Sequence, residues 1–215
     1  MKLFKNIKKW LENQEHLFYL FLLILIVPNI ILCFTEPMPV VAKVCNVLLP
    51  FAFYYLLMTL SRNCGKMFWI LFLFIFFGAF QIVLLYLFGQ SIIAVDMFLN
   101  LVTTNSSEAM ELLDNLVPAL VSVIILYIPA LILAAISIIK KRKLSPEFIR
   151  RERKKAWIAL LIGFISLGAA YGLDKRYELK SDLYPANVCY NVALAFQRNA
   201  QTRTYHRTSE NFTFN

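Results

Sequence analysis

Apolar positions along this chain neither alternate nor trace a single helical stripe. They come in five continuous runs, at residues 17–34, 40–60, 67–89, 116–139 and 156–173. Each is close to the roughly 20 residues that carry an α-helix across about 30 Å of hydrocarbon. Continuity, rather than a period of two, predicts helices and not the strands of a barrel. The one formal charge inside a run is Lys43, near enough to an end to snorkel. The pattern predicts an all-α integral membrane protein, a bundle of five transmembrane helices.

The breaks between runs differ in kind. TEPMPV (35–40) is a tight, proline-rich turn, and SRNCGK (61–66) is short enough to make the second and third spans antiparallel neighbours. The polar segment 90–115 is longer than a plain connector needs. Pro28, Pro50, Pro118 and Pro129 fall in or at the start of apolar runs, where membrane helices tolerate them as kinks. After Leu173 the chain turns polar and aromatic. Val188, Val192, Ala195 and Phe196 recur at helical spacing, which predicts a short amphipathic helix over about 184–197 lying on the membrane surface, those four side chains toward lipid. RTYHRTSENFTFN (203–215) shows no helical face and reads as a linker. The chain thus divides into a five-span domain, 1–183, and a surface helix with its linker, 184–215.

Composition agrees: 60% of residues are hydrophobic and 16% charged, with a mean hydropathy of +0.64, which excludes an ordinary soluble domain. The start MKLFKNIKKW resembles a signal n-region, but the run after it is long for an h-region and no A-x-A site follows, so it reads as a retained first span. Lys and Arg fix the expected orientation. With the N-terminus in the cytoplasm, fifteen lie inside and seven outside, which places the C-terminal tail outside. The same count absorbs the net charge of +9. KKRKLSPEFIRRERKK is a topology anchor touching anionic headgroups, and no nucleic-acid partner is expected.

Cys33, Cys45, Cys64 and Cys189 form no C-x-x-C, so no metal site is expected in this chain. A Cys33–Cys45 disulfide and buried free thiols are both compatible with the spacing. His16 and His206 read as solvated. The runs contain no Asp, Glu or Arg to relay ions, no repeat is visible, and Gln81 alone makes a poor transport site.

The segment DMFLNLVTTNSSEAMELLDN (96–115) is different. It holds four carboxylates and no Lys or Arg. On a helix Asp96, Asn100, Thr104 and Glu108 follow at steps of four, and each step advances about 40°, so they form one slowly winding polar stripe. A carboxylate beside hydrocarbon needs a cation to pair with, and none is in the segment. Two explanations stand side by side. Asn105-x-x-Glu108 and Thr104-x-x-Ser107 have helix-capping spacing, and Asp114 or Asn115 is placed to cap the fourth span ahead of Leu116 and Pro118. Alternatively, the stripe holds a polar ligand at the membrane surface.

Asn100-x-x-x-Thr104-x-x-x-Glu108, between a third and fourth span, closely resembles the membrane-domain motif of bacterial phosphoethanolamine transferases. These are lipid A modifying enzymes that include the mobile colistin-resistance proteins, and their catalytic domains belong to the alkaline phosphatase and sulfatase superfamily. The resemblance covers essentially the whole chain: five spans with the N-terminus inside, a basic fourth-to-fifth loop, and Tyr184-Pro185 leading into an amphipathic outer stretch. It implies a multi-pass protein of the bacterial inner membrane whose C-terminus is periplasmic. It further implies transfer of phosphoethanolamine from phosphatidylethanolamine to lipid A or another envelope glycan. Asn100, Thr104 and Glu108 would hold the donor head group, which suits the chemistry, since a carboxylate pairs with an ethanolammonium and Asn or Thr donates to phosphate.

The nucleophile and zinc of such an enzyme would lie in a periplasmic catalytic domain that this chain does not contain. No catalytic or metal-ligating residue is therefore assigned within the 215 residues, and the chain alone should not turn over. The rival expectations are a free-standing membrane anchor whose polar segment only caps helices and, third, a small transporter.

Overall fold

The computed structural model describes residues 10–88 and 106–210, and over them the chain is helical without a strand. The elements are α1 (Gln14–Thr35), α2 (Val40–Met58), α3 (Cys64–Ile70), α4 (Phe72–Phe88), α5 (Ser106–Ile139), α6 (Pro146–Leu173), α7 (Leu179–Asp182) and α8 (Ala186–Glu210). Four of the described helices, α1, α2, α5 from Val117 onward and α6, are long and apolar enough to cross a membrane. A fifth span results if α3 and α4 are taken together.

That third run is not one straight helix. α3 and α4 meet at Leu71 with a bend of 62°. Proline plays no part. Instead α3 is drawn across the bundle end by its own packing: Phe68 stacks on Phe21 with ring centroids 4.4 Å apart, and Cys64 and Phe68 are buried. Gly65 permits this approach, because a Cβ there would sit 2.3 Å from the Ala134 carbonyl oxygen.

α1 is the central helix, with 56% of its apolar window buried against 22% for α5 and 17% for α6. α2 packs against it and carries α6, whose Phe148 also meets Phe18 of α1, and α3, α4 and α5 pack against α1 as well. Between helices in lipid the hydrophobic effect gives little drive, so close packing and interhelical hydrogen bonds hold the bundle. Lipid-facing residues such as Leu161, Ile165 and Ile125 are correspondingly exposed.

The end that carries the N-terminus and the 140–155 segment, here the basic end, is stitched by polar contacts. Ser137 Oγ donates to Gln14 Oε1 at 2.6 Å, joining α5 to α1. Asn63 caps α3 by accepting from Lys66 N, and its Nδ2 donates to the Ser137 and Arg142 carbonyls. α5 closes with Lys141 at φ 50, Lys141 N bonding Ile138 O and Arg142 N bonding Ser137 O, the pattern of a Schellman motif with a lysine where glycine is usual.

Three boundaries differ from expectation. The basic segment expected as a loop is largely helix: Ser145 caps Phe148 N, Pro146 takes the first position and Glu147 the first turn, so α6 begins ten residues before the apolar run at 156. Asp114 and Asn115 do not cap the fourth span, because α5 runs unbroken through them from Ser106. Pro118 does not stop it, although its ring removes one backbone hydrogen bond and crowds the carbonyl four residues back, a disturbance membrane helices tolerate. In the tail, α8 continues to Glu210, through residues expected to be a linker.

Candidate functional site

The polar segment between α4 and α5 is only partly within the described residues. Asn100 and Thr104 lie outside them, as does Asn105. Glu108 lies on α5, eight residues before Leu116, where the apolar run begins in the sequence, which at 1.5 Å per residue is about 12 Å along the axis.

At the same end of the bundle, opposite the basic end, a buried polar cluster pins the tail to the helices. Asn29 of α1 is fully buried, and its Nδ2 donates to the carbonyls of Asn46 (2.9 Å) and Tyr184 (2.7 Å). Asn46 of α2 donates to the Asp182 carbonyl at 2.7 Å and accepts from the Tyr177 hydroxyl at 2.8 Å. Tyr184, also fully buried, donates to Phe74 O of α4. Four chain segments therefore converge through amide and phenol groups.

The sequence-derived picture of spans did not include this cluster. Its signal was present: Asn29 and Asn46 are amides inside otherwise apolar runs, where an unsatisfied polar group is costly.

This cluster also corrects the expected orientation of the tail. Val188 is fully buried against Leu32, Leu85 and Tyr184 rather than turned to lipid, and Val192 packs on the same group. Phe196 is 72% exposed. The first turn of α8 thus docks on the bundle because Tyr184 is already held there, and only later turns are free to face lipid or water. Tyr184–Pro185 is a cis peptide.

Beside the cluster lies a cavity of about 420 Å³ between α2, α6 and the tail. Leu49, Phe53, Phe164, Leu183, Pro185 and Cys189 are among its walls, and every lining residue is apolar or a thiol. Such a wall suits hydrocarbon and offers nothing to a polar substrate. Elsewhere at this end Glu36 ends α1 with Oε1 buried and without a hydrogen-bond partner. Burial, and secondarily the charge of Asp182, pushes its carboxyl up from the ordinary 4.5.

Cys33 and Cys45 are free thiols. Cys33 Sγ donates to Lys43 O and Cys45 receives the Tyr177 hydroxyl, so the two face different partners. Among the described residues no group of three or more His, Cys, Asp and Glu is placed to hold a metal ion.

At the basic end sits the most buried charge. The Glu152 side chain is fully buried in α6 beneath the expected headgroup anchor and is bonded by the Tyr55 hydroxyl, Arg151 Nε (2.8 Å) and Lys155 Nζ (3.0 Å). Burial alone would raise its pKa, but these donors together hold it down at about 2. Glu152, a carboxylate set directly between Arg150-Arg151 and Arg153-Lys154-Lys155, was the sequence signal for this partner set.

No family model, curated protein or solved structure matches this chain.

Proposed function

We propose that this chain is the membrane domain of a phosphoethanolamine transferase, anchoring the enzyme and binding the head group of its donor, phosphatidylethanolamine. The observation that carries the proposal is Asn100-x-x-x-Thr104-x-x-x-Glu108 between the third and fourth apolar runs. In this reading α3 and α4 together form the third of five spans, the N-terminus is cytoplasmic, and the tail is periplasmic in a bacterial inner membrane. Glu108 pairs with the ethanolammonium while Asn100 and Thr104 donate to the phosphate.

Two features support it. Glu108 lies on α5 eight residues ahead of Leu116, where the apolar run 116–139 begins in the sequence. The apolar cavity beside the tail is suited to hydrocarbon. No residue set among those described fits the zinc of such an enzyme, and no step is assigned to it in this chain. The acceptor, lipid A or a related glycan, would be met by a separate catalytic domain.

A second reading has one observation in its favour. Asn105-x-x-Glu108 has the spacing of a capping box. In that case the segment closes a helix and the protein is an anchor.

Binding of phosphatidylethanolamine by this chain in phosphatidylcholine nanodiscs tests the choice. A charge-assisted hydrogen bond contributes about 1.5–3 kcal/mol, so Glu108→Gln should weaken binding roughly 10- to 150-fold at unchanged helix content and melting temperature. If Glu108→Gln, Asn100→Ala and Thr104→Ala all bind normally, the segment is a cap. The orientation is tested separately: a C-terminal alkaline phosphatase fusion should be active in a bacterial host and a green fluorescent fusion dark.

A further inference from the structure

The helix α6 sorts its basic residues into two sets. Arg151 and Lys155 pair with the buried Glu152. Arg150, Arg153 and Lys154 instead line a cavity of about 380 Å³, together with Arg62 from the turn between α2 and α3. Its remaining walls are Pro146, Ile149 and Trp157, and no carboxylate is among them. Residues 150, 153, 154 and 157 follow at i, i+3, i+4 and i+7, so one helix face presents three cations and an indole together.

Two of the four cations are held by the backbone. Arg62 Nε donates to Leu144 O at 3.0 Å while Leu144 N donates back to Arg62 O at 2.7 Å. Arg153 Nη2 donates to Thr59 O at 2.6 Å, at the end of α2. Arg62 and Arg153 are thereby oriented on one rim of the cavity, with Arg150 and Lys154 on the helix beside them. Four like charges around one small cavity repel, and an anion relieves that repulsion.

We propose that this cavity binds the phosphodiester of an anionic phospholipid such as phosphatidylglycerol. The cavity lies in the three helical turns immediately before the apolar stretch of α6 begins at Ala156, the depth of a lipid phosphate. Guanidinium and ammonium groups bind the phosphate, and Trp157, 58% exposed, lies along the glycerol and the first acyl carbons, as interfacial tryptophans do. A free phosphate would use the cations and leave the Trp157, Ile149 and Pro146 wall without a role. The site is at the opposite end of the bundle from the start of the described part of α5 at Ser106 and stands or falls independently of the donor-lipid proposal.

The chain contains three tryptophans, so Trp10→Phe with Trp69→Phe leaves Trp157 as the single reporter. The full chain in phosphatidylcholine nanodiscs is doped with dibrominated phosphatidylglycerol or, separately, dibrominated phosphatidylcholine. Trp157 should be quenched at a mole fraction of the anionic lipid lower by roughly 30-fold or more than that of the zwitterionic one. Arg150→Gln with Lys154→Gln should weaken that preference on the order of 30-fold. Lys140→Gln with Lys141→Gln removes two cations of the same basic run outside the cavity and should change it by less than about threefold. Equal losses from both pairs would mean diffuse attraction to the membrane and overturn the proposal. The charge-keeping pair Arg150→Lys with Lys154→Arg should retain the preference; its loss there would show that packing and not charge was disturbed, and the assignment fails. Displacement of the brominated lipid by soluble glycerol phosphate at equal concentration would make the cavity a free-phosphate site, which also overturns it.

Discussion

Asn29 donates to the carbonyl of Asn46, the one backbone acceptor in α2 that Pro50, lacking an N–H, leaves without its helical partner four residues on. The same amide group donates to Tyr184 O, 155 positions away in sequence. One side chain thus repairs a proline break and anchors the tail.

Replacing Asn29 by Leu strands both carbonyls in the core, each at about 1–3 kcal/mol, so the melting temperature should fall and residues 174–185 should become protease-sensitive. Adding Pro50→Ala restores an N–H for the Asn46 carbonyl and should recover part of the loss. A double variant no more stable than Asn29→Leu would show that the Asn46 contact contributes nothing.

Glu152 should make the bundle acid-sensitive. Its folded pKa of about 2 lies below the ordinary 4.5, so the stability it contributes is complete above about 4.5 and is lost as pH falls through about 2. Glu152→Gln should lower stability at pH 7 and flatten the curve across that window. Thermal melts between pH 7 and pH 2 in a non-ionic detergent check it.

Glu36 carries the opposite sign. Its folded pKa is raised above 4.5, so the cost of its buried charge is full at neutral pH and is relieved as pH falls through the raised value toward 4.5. Stability should therefore rise on mild acidification before Glu152 reverses it. Glu36→Gln should be more stable than the parent at pH 7 and should show no such rise.

Lys141 holds a left-handed conformation where α5 ends. Lys141→Gly relieves that strain and should raise stability by about 1 kcal/mol, whereas Lys141→Ala should not. Equal effects of the two would mean that the lysine side chain, not its backbone angle, sets the cost.

The arrangement of helices was written in the chain locally. Runs of about 20 apolar residues have one low-energy solution in lipid, an α-helix with its own backbone satisfied, and so 17–34, 40–60, 116–139 and 156–173 appear as helices α1, α2, α5 and α6. The signals for the early start of α6, Ser145-Pro146-Glu147, were equally local. What sequence alone did not decide depends on partners far apart in the chain. The bend at Leu71 exists because Gly65 and Phe68 find Ala134 and Phe21, and Val188 turns inward because Tyr184 is held by Asn29 and Phe74. Glu152 is buried rather than solvated because Tyr55 meets it from α2. In each case an amphipathic or polar residue had two acceptable environments at the level of its own helix, water or lipid headgroups on one side and a neighbouring helix on the other. Only the packing of the bundle, by supplying or withholding a hydrogen-bond partner, chose between them.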